Sequence, residues 1–131
     1  MMRYLDSNVF IFAATGVPEA KAILKDVAKG TINACTSCLT WDEVVWALKK
    51  CTSREVLLED SRDLLEFPNL VFIPTTLDII ARAHEIMVSD GLDPRDAIHV
   101  ASMLHANAKE IVSDDEDFDK VKGIKRTPVS S

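Results

Sequence analysis

Apolar residues along this chain occur in two alternating patterns. Short apolar runs, typical of buried strands, are followed by longer segments in which apolar residues recur at every third or fourth position, as on one face of a helix. The predicted strands lie in RYL, TINACTS, NLVFIP, EIVS and IKRTPV. The predicted helices lie in SNVFIF, PEAKAILKDVAKG, TWDEVVWALKKC, SREVLLEDSRDLLEF, TLDIIARAHEIMVSDG and DPRDAIHVASMLHANA, and DEDFDKV is expected to be a short helix or turn. Because strands separated by helices pair in parallel through right-handed crossovers, the pattern indicates an α/β layered fold.

Residues that start and stop helices support this division of the chain. Asp6 is placed to cap the first helix, Pro18 begins the second helix and Gly30 ends it. Thr40 is expected to cap the third helix, with Glu43 three residues later completing a capping box. In that arrangement the carboxylate of Glu43 would serve the backbone of its own helix.

The composition is that of a soluble globular protein. Of the 131 residues, 47% are apolar and 27% are charged, and the length suits one domain spanning residues 1–131. The sequence contains no run of the ~20 apolar residues that cross a bilayer. The apolar N-terminus is interrupted at Asp6 and Asn8, unlike a signal peptide. We therefore expect a cytoplasmic protein that does not act at a membrane.

The net charge of −6 bears on the choice of partners. It argues against a protein that grips nucleic acid through a broad basic surface. It remains compatible with acids gathered around a bound cation, because the cation inverts the local sign of the charge.

The three cysteines do not form an evident site. Cys35 and Cys38 have the C-x-x-C spacing of redox motifs and of half a zinc site, but the motif lies across a predicted strand end, and Cys51 is the only further thiol. An odd, small number of cysteines also argues against a disulfide framework. We expect small, buried apolar side chains here.

Three separated carboxylates lie at the ends of predicted elements. Asp6 interrupts an apolar run, where an unpaired charge is costly, and Glu43 and Asp96 lie near the starts of two helices. Each also has a structural interpretation, as an N-cap, a capping-box partner or a charge favoured by the helix dipole. Asp96 shares its helix face with His99, which we expect to be packed and hydrogen-bonded. Because sites in parallel sheets gather where the strands end, Asp6 and the acidic stretch after the fourth strand belong to the functional edge.

That acidic stretch, SDDEDFDK, begins at Ser113. Its alternating aspartates match the first positions of a calcium loop, but Lys120 stands where such loops require glycine, and Arg126 stands where they require a bidentate glutamate. A calcium loop is therefore rejected. Converging carboxylates would instead suit Mg²⁺ or Mn²⁺ and would support phosphodiester hydrolysis. A phospho-acceptor domain of the response-regulator kind is disfavoured, because the third strand ends with no aspartate before Asp78.

The chain contains, in this order, the segments YLDSNVF, SCLTWDEVVWAL, RDAIHVASML and IVSDDEDFDKV, which extend from Tyr4 to Val121. In order and spacing they resemble the PIN-domain nucleases, most of all the small VapC-type toxins of archaea and bacteria. The resemblance implies a three-layer α/β fold, in which helices flank a central, mostly parallel sheet of four or five strands. It also implies an endoribonuclease that uses Mg²⁺ or Mn²⁺, forms a homodimer and is silenced by an antitoxin protein encoded alongside.

Matched motif by motif, the resemblance implies four catalytic, metal-binding acids. They are Asp6, Glu43, Asp96 and Asp115. Glu43 would either bind metal or take a proton from the attacking water. Asp117 is the alternative to Asp115 for the fourth position.

The same resemblance implies several supporting residues. Ser113 corresponds to a hydroxyl that orients water or a carboxylate, Asn8 is a further polar residue of the D-S-N motif, and Arg95 is a candidate contact for RNA phosphates. Phe118 is expected to be a buried anchor for the acidic turn, and Asp114 a charge in solvent.

Two other functions remain compatible with these residues. A PIN-like scaffold would bind RNA or protein without cleaving it, and would not bind Mg²⁺ or Mn²⁺. An RNA-processing nuclease of the same family would cleave RNA but would not be the toxin of a toxin-antitoxin pair.

Overall fold

A computed structural model describes residues 1–130, and within them five strands form one sheet. The strands are β1 (Met2–Leu5), β2 (Asn33–Ser37), β3 (Leu70–Ile73), β4 (Glu110–Val112) and β5 (Lys125–Thr127), in the spatial order β3-β2-β1-β4-β5. Every neighbouring pair is parallel, and Tyr4 of the central strand lies beside Cys35 and Ile111. The predicted parallel sheet of four or five strands is confirmed. Ser131, the last residue of the predicted domain, lies outside the described residues.

Helices cover both faces of this sheet. They are α1 (Ser7–Ala14), α2 (Pro18–Ala28), α3 (Cys38–Leu48), α4 (Arg54–Leu65), α5 (Leu77–Asp90), α6 (Pro94–His105) and a short 3₁₀ helix (Glu116–Lys120). Successive residues of a strand point to opposite faces, so Tyr4 packs in one core with Val100 of α6, and Leu5 packs in another with Val44 of α3. This is the predicted three-layer arrangement. Within residues 1–130, the helices are all too short or too polar to span a membrane.

The predicted helix starts are confirmed except for that of α3. Asp6 caps α1 and Pro18 begins α2, as expected. However, α3 begins at Cys38, because the hydroxyl of Ser37 at the end of β2 accepts the Leu39 N–H and caps the helix there. Thr40 is therefore inside the helix, and the predicted capping box with Glu43 is wrong. The carboxylate of Glu43 is left available for other partners.

The cysteines differ in their surroundings. Cys35 is buried within β2, as predicted, but Cys38 and Cys51 are exposed, so the prediction of buried side chains is wrong for these two. The reason is the position of α3, since Cys38 is its first residue and Cys51 follows its end. All three, which lie among the described residues, are free thiols.

The strand ends bring the predicted site residues to one edge of the sheet. Asp6 follows β1 directly, α3 with Glu43 follows β2, and Ser113 follows β4. Helix α6 packs against β2 and α3 and carries Asp96 in its first turn. Four separate elements therefore supply carboxylates or hydroxyls to the same region.

Candidate metal centre

Asp6 lies at the centre of the site and is almost fully buried. Its side chain is 8% exposed, and both of its carboxylate oxygens have partners. Oδ1 accepts the backbone N–H of Ser7 at 2.8 Å, and through this hydrogen bond Asp6 caps the N-terminus of α1. Oδ2 accepts the hydroxyl of Ser113 at 2.6 Å. Both oxygens of this nearly buried carboxylate are therefore satisfied by hydrogen bonds from the protein.

Ser113 links Asp6 to the acidic turn. Its buried hydroxyl donates to Asp6, accepts the backbone N–H of Asp115 at 3.0 Å, and accepts Nδ2 of Asn8 at 3.3 Å. The hydroxyl thus holds the carboxylate of Asp6 in place and fixes the start of the turn. The other amide atom of Asn8, Oδ1, is buried and has no hydrogen-bond partner among residues 1–130.

Glu43 is bound by a histidine rather than by its own helix. Nε2 of His99 lies 2.5 Å from Oε1 of Glu43 and 3.6 Å from Oδ1 of Asp6. Nδ1 of His99 lies 2.5 Å from the hydroxyl of Tyr4, which also accepts the backbone N–H of Ser37 at 3.1 Å. The His99 ring is only 1% exposed, so the prediction of a packed and hydrogen-bonded histidine is confirmed.

Glu43 and His99 shift each other's pKa. Burial on its own would raise the pKa of Glu43, but the hydrogen bond and charge of His99 outweigh it and lower that pKa. Burial acts to lower the pKa of His99, whereas the hydrogen bond to Glu43 and the charge of Asp6 raise it above its ordinary value. Burial also keeps the pKa of Tyr4 well above its ordinary value, so the phenol is neutral. Glu43 is therefore held as a carboxylate.

Asp96 forms a group of carboxylates with Asp115 and Asp117. One oxygen of each lies within 4.8 Å of one oxygen of each of the others. Burial, followed by the negative charges of Asp115 and Asp6, raises the pKa of Asp96 to about 6. Burial and the nearby carboxylates therefore both oppose the ionisation of Asp96.

The two candidates for the fourth acid differ in their environment. Asp115 is partly buried, and its Oδ1 accepts the backbone N–H of Asp117 at 2.9 Å, which caps the 3₁₀ helix. Asp117 is exposed and lies 3.5 Å from Nζ of Lys120. Both side chains reach Asp96, so geometry leaves the choice between them open, and Asp115 is the more buried of the two.

The remaining residues of the acidic turn have structural partners. Phe118 is fully buried, as predicted. Asp114 was predicted to be a charge in solvent, and this is wrong, because it accepts the backbone N–H of Val129 at 2.7 Å and the hydroxyl of Ser130. Asp114 thereby ties the segment after β5 to the acidic turn.

An open cleft of about 460 Å³ lies beside two of the predicted acids, Glu43 and Asp96. It is lined by these two residues and by Asp93, Pro94 and Arg95. Arg95, one of these lining residues, is exposed. Asp93 was not singled out from the sequence, although its position just before a helix-starting proline is a signal that could have been used.

The donor set fits a hard divalent cation. The groups that converge are carboxylate oxygens, which Mg²⁺ and Mn²⁺ prefer. Burial and then the charges of Asp115 and Asp6 raise the pKa of Asp96, and a cation among these carboxylates would relieve their mutual repulsion. The unpaired buried amide oxygen of Asn8 adds a further sign of a site built for a partner.

Comparisons with known proteins agree with this architecture. The family model described as PIN domain matches residues 3–124. No curated protein sequence matches the chain. Solved structures with the same fold include a toxin-antitoxin complex from Klebsiella pneumoniae, at 24% identity and a TM-score of 0.72 over 93% of this chain and 94% of that one.

Two further structures extend the comparison. VapBC2 from Rickettsia felis, solved bound to a DNA fragment from its promoter, is 17% identical with a TM-score of 0.76, and 98% of each chain is covered. VapC20 from Mycobacterium tuberculosis, a toxin that cleaves the sarcin-ricin loop, is 14% identical with a TM-score of 0.74 over 94% of this chain and 97% of that one. At these identities, the similarity establishes a shared fold.

Proposed function

Because the chain belongs to the PIN-domain family, we propose that it is a metal-dependent endoribonuclease of the VapC type, acting as one domain over residues 1–131. The observation that carries the proposal is the convergence of carboxylates from four elements, in two groups, at the carboxyl edge of the sheet, where Glu43 and Asp96 line an open cleft. Carboxylate clusters at that edge suit phosphodiester hydrolysis, and the chain offers no phosphate-binding glycine loop.

The residues that would hold Mg²⁺ or Mn²⁺ are Asp6, Asp96, Asp115 and Glu43, with Asp117 as the alternative to Asp115. A divalent cation at this position supplies Lewis-acid chemistry, polarising a phosphate oxygen and lowering the pKa of water. Ser113 and Asn8 keep the carboxylate of Asp6 oriented.

The protein side chains then divide the remaining work. Glu43, held as a carboxylate by His99, is the group that takes a proton from the attacking water, or else it completes the cation site. Arg95 at the rim binds a phosphate of the RNA, because an otherwise acidic cleft needs a cation to receive the backbone.

We further propose that the chain is the toxin of a toxin-antitoxin pair, active in the cytoplasm. The Klebsiella and Rickettsia proteins with the same fold are toxin-antitoxin assemblies, which supports a partner protein that blocks the site. A homodimer is also proposed, since α4 exposes Leu58 and Leu65 on one face, each more than half exposed. An RNA-processing nuclease would show the same site but would be encoded without a neighbouring antitoxin.

Cleavage of a fluorescently labelled RNA in the presence of Mn²⁺ tests the proposed function. We expect wild-type protein to cleave it, EDTA to stop the reaction, and Asp6→Asn and Asp96→Asn each to reduce the rate by at least about 10²-fold. Asp42→Asn, an exposed carboxylate on the same helix as Glu43, is the matched control and should cleave normally. Undiminished cleavage by folded Asp6→Asn or Asp96→Asn protein would contradict the proposal. Failure of the folded wild-type protein both to bind Mn²⁺ and to cleave any RNA would favour the scaffold.

A further inference from the structure

His99 is a fully buried polar ring beside the carboxylates of the site. It lies on α6 one turn after Asp96, and its neighbours on the buried face of that helix are apolar or small residues such as Val100 and Met103. We propose that His99 is a positioning residue, which fixes the carboxylate of Glu43 so that a single oxygen of Glu43 is presented to a divalent cation. This inference rests on the proposed function, since it concerns the same cation site.

Both nitrogens of the His99 ring are already engaged by the protein. An ionised carboxylate can only accept hydrogen bonds, so Nε2 carries a proton and donates it to Oε1 of Glu43 at 2.5 Å. Nδ1 lies 2.5 Å from the hydroxyl of Tyr4, which the backbone N–H of Ser37 holds in turn. The ring therefore cannot rotate without losing two hydrogen bonds, and neither nitrogen is free to act as a metal ligand.

The contact determines what Glu43 can do. A glutamate side chain has three rotatable bonds, and binding a cation to a free glutamate would cost the conformational entropy of all three. With Oε1 tied to His99, the side chain is ordered in advance, and one oxygen remains for the cleft. Partners of this kind orient carboxylate ligands, and their loss lowers metal affinity by about 10–100-fold.

A purely structural role would not explain the choice of partners. A buried polar ring needs hydrogen bonds, and a core histidine could obtain them from backbone groups. His99 instead bonds to Glu43 and lies 3.6 Å from Asp6, which are two acids from different elements. The ring thus connects α6 to the acids that follow β1 and β2.

Two substitutions of similar size separate positioning from packing. Glutamine and methionine are nearly equal in volume, but only His99→Gln retains an N–H that can reach Glu43. We expect calorimetric Mn²⁺ titration to show an affinity about 10–100-fold below wild type for His99→Met, and within a few-fold of wild type for His99→Gln. Thermal melting of the metal-free variants controls for folding. Equal Mn²⁺ affinities for the two folded variants would overturn the proposal.

A second measurement needs neither metal nor RNA and leaves His99 itself unchanged. We expect the NMR spectrum of the metal-free protein to contain a strongly downfield imidazole N–H proton from His99 that exchanges slowly with water. Glu43→Gln should move this signal upfield, whereas Asp42→Asn should leave it unchanged. Absence of the proton, or its indifference to Glu43→Gln, would contradict the positioning role even if neither His99 variant folds.

A third readout distinguishes positioning from direct ligation. Pulsed EPR of Mn²⁺-loaded wild-type protein should show no nitrogen coupling from a coordinated imidazole, and such a coupling would make His99 a ligand and overturn the proposal. If wild-type protein binds no Mn²⁺, the proposed function itself fails, and the imidazole proton still reports separately whether His99 holds Glu43.

Discussion

Asp96 is the residue at which the electrostatic strain of the site can be measured. Its pKa of about 6 is raised first by burial and then by the charges of Asp115 and Asp6. In the unfolded chain the same carboxyl ionises near its ordinary value of 3.8. The folded protein therefore holds an extra proton between these two pKa values, and its stability falls as the pH rises through this window.

Asp96→Asn should consequently stabilise the metal-free protein at pH 7.5. Asparagine resembles the protonated carboxyl, so it removes the cost of burying the charged group and its repulsion by Asp115 and Asp6, which are fully present above pH 6 and largely absent near pH 4. After allowance for partial solvent screening, we expect a gain of about 1–2 kcal/mol, or a few degrees in Tm. Scanning calorimetry in EDTA at pH 7.5 and at pH 4.5 measures it, and the gain should shrink at the lower pH. An equal or lower Tm at pH 7.5 would mean that Asp96 is not strained.

Some residues of the site can be predicted from the sequence, but the contacts between distant residues cannot. Asp6 and Asp96 are identifiable because each breaks an apolar pattern at the end of an element. The contact between Tyr4 and His99 joins residues 95 positions apart, and no local periodicity encodes it. The sequence therefore does not predict that His99 is the partner of Glu43, although it does predict that His99 is packed and hydrogen-bonded.

At the scale of elements, strand and helix order followed from periodicity, whereas one helix start did not. Ser37 and Thr40 are both good capping residues, and the sequence offers a capping-box glutamate only for Thr40. The helix starts after Ser37 because β2 ends there, which makes its hydroxyl the first available cap. Thr40 instead bonds within the core to Thr36 at 2.6 Å.

The turn between β4 and the 3₁₀ helix depends on the hydroxyl of Ser113. Ser113→Ala removes the donor to Asp6 and the acceptor for the Asp115 N–H, which leaves buried groups unpaired. We expect a loss of about 1–3 kcal/mol in unfolding free energy and a drop in Mn²⁺ affinity of about 10–100-fold.

The matched control for this turn is Ser113→Thr, which keeps the hydroxyl. Its extra methyl group must fit a fully buried position, so its stability can fall, but its Mn²⁺ affinity should stay within a few-fold of wild type. Urea unfolding and calorimetric titration measure the two quantities. Unchanged Mn²⁺ affinity in Ser113→Ala would show that the hydroxyl does not position Asp6.

At the scale of the whole molecule, the acidic charge must be reconciled with an RNA substrate. The net charge is −6, and several basic side chains near the site are paired, including Lys120 with Asp117 and Arg126 with Asp119. Arg95 is thus the main cation at the cleft among the residues that line it. A bound divalent cation would supply the remaining attraction for phosphate.

The exposed apolar face of α4 leads to a prediction about assembly. Leu58 and Leu65 are seven residues apart and lie on one side of the helix, with exposures of 55% and 56%. We expect light scattering to give a dimer mass for wild-type protein and a monomer mass for the Leu58→Lys, Leu65→Lys double variant. Because both side chains are largely in solvent, the variant should remain folded. A dimer mass for the folded variant would place the interface elsewhere.

The central claim is that Asp6, Asp96 and Asp115 surround a divalent cation. Anomalous diffraction from crystals grown with Mn²⁺ tests it most directly, because it locates the ion without reference to activity. The account predicts one or two peaks between these carboxylates, at about 2.0–2.3 Å from their oxygens, and none in crystals of Asp96→Asn. An empty cleft at millimolar Mn²⁺, or a peak confined to Asp114 or Asp119, would contradict it.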